Sequence, residues 1–213
     1  EHYCYRLRRY GPEFSLEGLR ERLDRISSKQ SLACSHYFHE VCIHPNATIE
    51  MIRLCLEYNP FAADCASTHY AKDYTPADVD EYEAQQLEQG SQPSKRQLRS
   101  DRMFPIHLAC LNHMCPHQDR IVQELARRNP SALGHLASPW QDKLSFSTCL
   151  HDTECLPIHF YHSGLAKVDL ETVMLMAELC PLSLRPAGKN DIQPLHIYLR
   201  CAFKPEYRVV KYL

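Results

Sequence analysis

An apolar residue followed by histidine marks four places in this chain, and the residues after each one keep step. The histidines are His39, His107, His159 and His196. Proline precedes the apolar residue in three of them, as Pro105-Ile106-His107, Pro157-Ile158-His159 and Pro194-Leu195-His196, and Phe38-His39 is a weaker copy. A short helix-like stretch follows each histidine, then a loop, then a second stretch with helical apolar spacing. The first three second stretches, Thr48 to Pro60, Gln118 to Pro130 and Asp169 to Pro181, end in proline 21, 23 and 22 residues after the histidine. Ile52, Val122 and Val173 fall eight before that proline, Cys55, Leu125 and Met176 five before, and Leu56, Ala126 and Ala177 four before. Such offsets share one helix face. A short helical pair cannot bury its apolar face alone, so copies in register predict stacked hairpins. In the fourth copy the stripe falls on Val209, Val210 and Leu213, and the chain stops about five residues short of a matching proline. With Glu1 rather than Met at its start, the chain reads as a fragment of a longer protein.

Pro105-Ile106-His107-Leu108-Ala109-Cys110 resembles the ankyrin repeat, whose inner helix opens with Thr-Pro-Leu-His-x-Ala. The likeness covers roughly 36–70 and 100–213, and Asp101, Asp152 and Asn190-Asp191 stand where the family has its turn aspartate. The resemblance implies an inner helix opened by proline, whose missing N–H is not needed there. It also implies an outer, convex second helix, and histidines that hydrogen-bond the backbone of neighbouring turns. His39, His107, His159 and His196 are the structural set on that reading. The sequence departs from the family in three ways. Phe104, Leu156 and Gln193 replace the capping threonine, the turn glycine is missing, and the histidines are 68, 52 and 37 residues apart where the family period is near 33. The endings Asn59-Pro60 and Asn129-Pro130 are similar to those of degenerate ankyrin-like proteins of unicellular algae.

Residues 14–29 predict an amphipathic helix, with Leu16, Leu19, Leu23 and Ile26 on one face and Ser15 as its N-cap. Residues 71–102 differ from the rest. An acidic half (Asp73, Asp78, Asp80, Glu81, Glu83, Glu88) meets a basic half (Lys95, Arg96, Arg99, Arg102), with few apolar residues between. Such a stretch cannot bury enough to offset its chain entropy, so it is expected to be disordered. The longest apolar stretch, Val173 to Leu182, is broken by Glu178, so no membrane span is expected. With 24 Lys+Arg against 26 Asp+Glu the chain is no generic nucleic-acid binder. Tyr3, Tyr5 and Tyr10 among Arg6, Arg8 and Arg9 are too short a cluster to contact many phosphates.

Eleven cysteines cannot all pair within one chain. No secretion signal precedes them, so free thiols in cytosol or nucleus are expected. The excess of Cys and His also raises a metal reading. Cys110, His113, Cys115 and His117 lie close together, but Cys115-Pro116-His117 is tight for a ligand pair and no second knuckle exists. No Gly-rich phosphate loop, zincin helix or nucleophile elbow is present.

These readings converge on an all-α chain, a solenoid of stacked helix-turn-helix, ankyrin-like repeats with long finger loops and an N-terminal capping helix. The expected segments are 1–35 for the cap, 36–70 for the first repeat, and 71–102 for the insertion. Then come 103–150, 151–190 and a truncated 191–213. The expected role is a non-enzymatic, monomeric scaffold without cofactor that holds another protein through His113, Asp152, Glu154, Lys189, Asn190 and Asp191 on inner helices and fingers. The alternative is a zinc-binding or thiol-redox module built on Cys110, His113, Cys115 and His117.

Overall fold

The computed structural model describes residues 14–27, 31–66, 103–137, 154–163, 168–187, 191–202 and 205–213. The charged segment 71–102, Trp140, and the Tyr/Arg cluster near the N-terminus lie outside them. The described residues form nine α-helices and no sheet, with two isolated antiparallel bridges, Ala137 with Cys155 and Ala187 with Ile192. The helices are α1 (Leu16–Ser27), α2 (Ser31–Ile43), α3 (Ile49–Tyr58), α4 (Pro105–Leu111), α5 (Gln118–Arg128), α6 (Pro157–His162), α7 (Leu170–Leu179), α8 (Pro194–Cys201) and α9 (Tyr207–Tyr212). None is long and apolar enough to cross a membrane.

The helices lie in two rows. In one, α2 packs on α4, α4 on α6 and α6 on α8; in the other, α3 packs on α5, α5 on α7 and α7 on α9. The apolar stripe explains the second row. Ile52, Val122 and Val173 are wholly buried, and so nearly are Cys55, Leu125 and Met176, the positions three residues further on. In the first row α4 and α6 are apolar nearly all round, which marks a helix covered on every side. All six residues of α6 are buried, as are Pro105 to Cys110 of α4. α1 lies across α2 and α3 with Leu19 and Leu23 buried, and Tyr58 donates a hydrogen bond from α3 to Asp24 of α1. Ser15 caps α1 as expected, its hydroxyl accepting from the Gly18 N–H at 3.1 Å.

Two boundaries differ from the sequence reading. α2 starts at Ser31, ahead of the boundary expected at 36, because no proline opens the first pair. The second difference lies past the outer helices, which end just ahead of their prolines, with Asn59, Asn129 and Cys180 already out of helical conformation. Those helices stop at Tyr58, Arg128 and Leu179, and short 3₁₀ turns follow over Ala62–Asp64, Pro130–Gly134 and Pro181–Leu184. The Asn-Pro endings hold these turns. Asn129 Oδ1 accepts from the Ala132 N–H at 3.1 Å, and its Nδ2 donates to the Ala63 carbonyl of the previous turn at 3.2 Å.

Two of the outer helices, α3 and α7, begin on side-chain caps. Thr48 Oγ1 accepts from Met51 N–H at 3.4 Å, and Asp169 Oδ2 accepts from Thr172 N–H at 2.9 Å and from the Thr172 hydroxyl at 2.7 Å. Asp169→Ala removes both bonds and is expected to cost about 1–2 kcal/mol, with Asp169→Asn retaining most of the stability. Paired thermal melts check this; equal losses in both variants would mean that the charge, not the cap, matters.

Candidate functional site

The histidines of the Pro-x-His segments sit at the third helical position, and His107 and His196 there explain how their helices start without a capping threonine, whereas His159 Nδ1 is buried and meets no partner among the described residues. Phe104 N–H donates to His107 Nδ1 at 3.1 Å, and Gln193 N–H to His196 Nδ1 at 3.3 Å. The imidazole thus takes the role usually played by Glu or Gln at this position in a capping box. With Nδ1 accepting, the ring proton of His107 is on Nε2. Nε2 then donates to the His135 carbonyl at 3.0 Å, and in the next pair His159 Nε2 donates to the Ile192 carbonyl at 2.9 Å. Each ring ties its own helix to the chain that leads into the following pair. His39 is buried as well. His196 differs: it is exposed.

A second set of contacts recurs one layer out. Tyr161 OH accepts from Asp169 N–H at 3.1 Å, and Tyr198 OH accepts from Glu206 N–H at 2.8 Å. Both tyrosines lie two residues after their histidine and eight before the residue that starts the outer helix. Tyr161 also donates to Asp119 Oδ1 at 2.5 Å, reaching into the preceding outer helix. Burial holds the Asp119 carboxyl above the usual range and raises the Tyr161 phenol as well. Asn112 closes the joint between the first and second pairs, donating from Nδ2 to the carbonyls of Cys42 at 3.0 Å and His44 at 2.9 Å.

The residues expected to bind a partner divide. Glu154 and Asp191 are exposed on the turns that lead into α6 and α8. Asp191 has φ 47, a left-handed conformation that aspartate tolerates in turns. Asp152, Lys189 and Asn190 lie outside the described residues. His113 is not a free surface group. Its Nδ1 lies 3.3 Å from Gln118 Nε2 and its Nε2 3.5 Å from Ser163 Oγ, and burial pushes its pKa down to about 4. The expectation that the first-row helices present polar side chains also needs correction for α4 and α6, whose faces are covered; α8 keeps Leu199 and Arg200 exposed.

The four residues of the metal reading do not point at one another. Cys115 donates to the Ala47 carbonyl at 3.3 Å, Cys110 is fully buried with its thiol pKa pushed up by burial, and His113 faces Gln118 and Ser163. Among the described residues no three His, Cys, Asp or Glu side chains are placed to hold one ion. Cys42, Cys55, Cys65, Cys110, Cys115, Cys155, Cys180 and Cys201 are free. Elemental analysis of the reduced protein should find no stoichiometric zinc, and a chelator should leave its melting temperature unchanged; one zinc per chain with a chelator-sensitive melt would revive the metal reading.

An open cleft of about 370 Å³ between α7 and α9 is lined by Leu170, Tyr207, Arg208, Lys211 and Tyr212. It holds no cluster of acid, base and nucleophile. Comparison with protein-family models, with curated proteins and with solved structures found no match to this chain.

Proposed function

We propose that this protein is a non-enzymatic scaffold, a solenoid of divergent ankyrin-like hairpins that holds another protein on the edge formed by its turns. One observation carries the reading: the same ring nitrogen, Nε2 of His107 and of His159, bonds the chain leading into the next helical pair at 3.0 and 2.9 Å. Repeated ties of this kind make a stiff array in which each unit contacts its neighbours. Side chains not needed for stacking are then free to recognise a partner. Glu154 and Asp191 stand at matching places before α6 and α8, both exposed and both acidic, which suits a partner with a basic stripe.

The test is a change of charge. Glu154→Lys with Asp191→Asn, asparagine also tolerating the left-handed turn at 191, is expected to keep the wild-type melt and to lose a protein that the wild type captures from the lysate of its own cells. Capture that is equal for both proteins would remove the turn edge from the proposal. Turnover of a substrate by the purified chain, abolished by a single side-chain change, would end the scaffold reading.

A further inference from the structure

His162 closes α6 with no exposed surface. Both its ring nitrogens are buried, and among the described residues neither meets a hydrogen-bond partner. The ring packs between Tyr161, at 5.9 Å between centroids, and Tyr198 of α8, at 5.3 Å. A neutral imidazole bears this at a cost; an imidazolium would bring two N–H donors and a charge to a place without an acceptor. The surrounding groups do not relieve that. His159 lies on the same helix, where a second positive charge would oppose the first. α4 brings His107 and, just beyond it, His113; α8 brings Tyr198, with His196 and Arg200 exposed. The turns Pro130–Gly134 and Pro181–Leu184, also packed on α6, carry no titratable side chain, and His135 and Arg185 follow them. The nearby carboxylates are already engaged, Asp119 by Tyr161 and Asp169 by Thr172.

We propose that His162 is an acid trigger at the joint between α6 and α8: on taking up a proton it leaves its site and frees α8 and α9 while α2 to α5 stay folded. The contacts give the route. Tyr198, against the His162 ring, holds the backbone of Glu206 at the start of α9. His159 holds the carbonyl of Ile192, just ahead of α8. A ring that leaves this site disturbs both anchors of the last pair. Burial sets the window, because the folded ring is held down to about 3 while a released one titrates near 6.5.

Hydrogen exchange across pH, corrected for the intrinsic rate, tests the trigger. Between about pH 6.5 and 5.5, above the pH of global unfolding, protection of 194–202 and 205–213 should fall about tenfold or more per pH unit, while 105–128 stays protected. His162→Phe and His162→Leu should each lower that slope by about tenfold per pH unit. An unchanged slope in a variant with wild-type circular dichroism at neutral pH overturns the proposal, as does earlier loss of protection in α2 to α5. The wild type alone gives a second check, by NMR of the His162 ring. A ring that titrates near 6.5 with α8 still protected contradicts it.

Discussion

Lowering the pH from about 7 to about 5 is expected to unfold this protein. His44, His107, His113 and His159 are held near 4 and His162 near 3, in each case chiefly because burial disfavours the charged ring. The unfolded chain restores the ordinary value of 6.5. Below that value the unfolded state binds more protons than the folded one, so stability falls as the pH falls. It is fully present above about 6.5 and is lost progressively until the folded values near 4 and 3 are reached. Each such group removes about 1.4 kcal/mol per pH unit inside the window, so the five together remove about 7 kcal/mol per pH unit. A domain holds only about 5–15 kcal/mol in all. Asp119, whose carboxyl is raised by burial, works in the opposite direction, but it is one group against five. Far-UV circular dichroism in small pH steps should show cooperative loss of helix near pH 5–5.5, preceded by uptake of protons. A helix signal that persists to about pH 4 would show that the buried rings are charged and solvated in the folded state.

Replacing Asn112 has the next largest expected effect. Its amide donates to two carbonyls at once, those of Cys42 and His44, and the side chain is 2% exposed. Asn112→Ala removes both bonds in the joint between the first and second pairs: the His44 carbonyl keeps the Ala47 N–H at 3.0 Å, and the Cys42 carbonyl loses its side-chain donor, at about 1–3 kcal/mol. Asn112→Asp is nearly isosteric and worse, since it also sets a buried carboxylate against two carbonyl oxygens. A loss of about 2–4 kcal/mol for Ala corresponds to a fall in melting temperature of roughly 10 °C. Urea melts of the two variants decide it. Wild-type stability in either would mean that α2 and α4 are not joined through this side chain.

The helical rows were legible because burial is written into spacing. Ile52, Val122 and Val173 share a phase, and that phase is the buried face. The role of His107 was legible only through the ankyrin resemblance, and the capping bond from Phe104 was not foreseen, because nothing in the sequence says which ring nitrogen faces which backbone group. The 3₁₀ turns were missed because proline reads as a stop whether the chain leaves or tightens. The tyrosines could have been found: Tyr161 and Tyr198 recur at one offset from histidine and one offset from the next helix start. His113 was misjudged for a different reason. It lies in a loop in sequence, but Ser163, fifty residues away, lies against it. Tertiary cover of that kind leaves no local trace.

The account rests most heavily on the histidine ties between successive helical pairs, and nitrogen-detected NMR of the imidazoles at neutral pH reads them directly. The predicted result is a neutral ring at His107 and at His159, protonated on Nε2, with slowly exchanging N–H signals coupled to the carbonyls of His135 and Ile192. Rings protonated on Nδ1, or charged and exchanging fast with water, would contradict it.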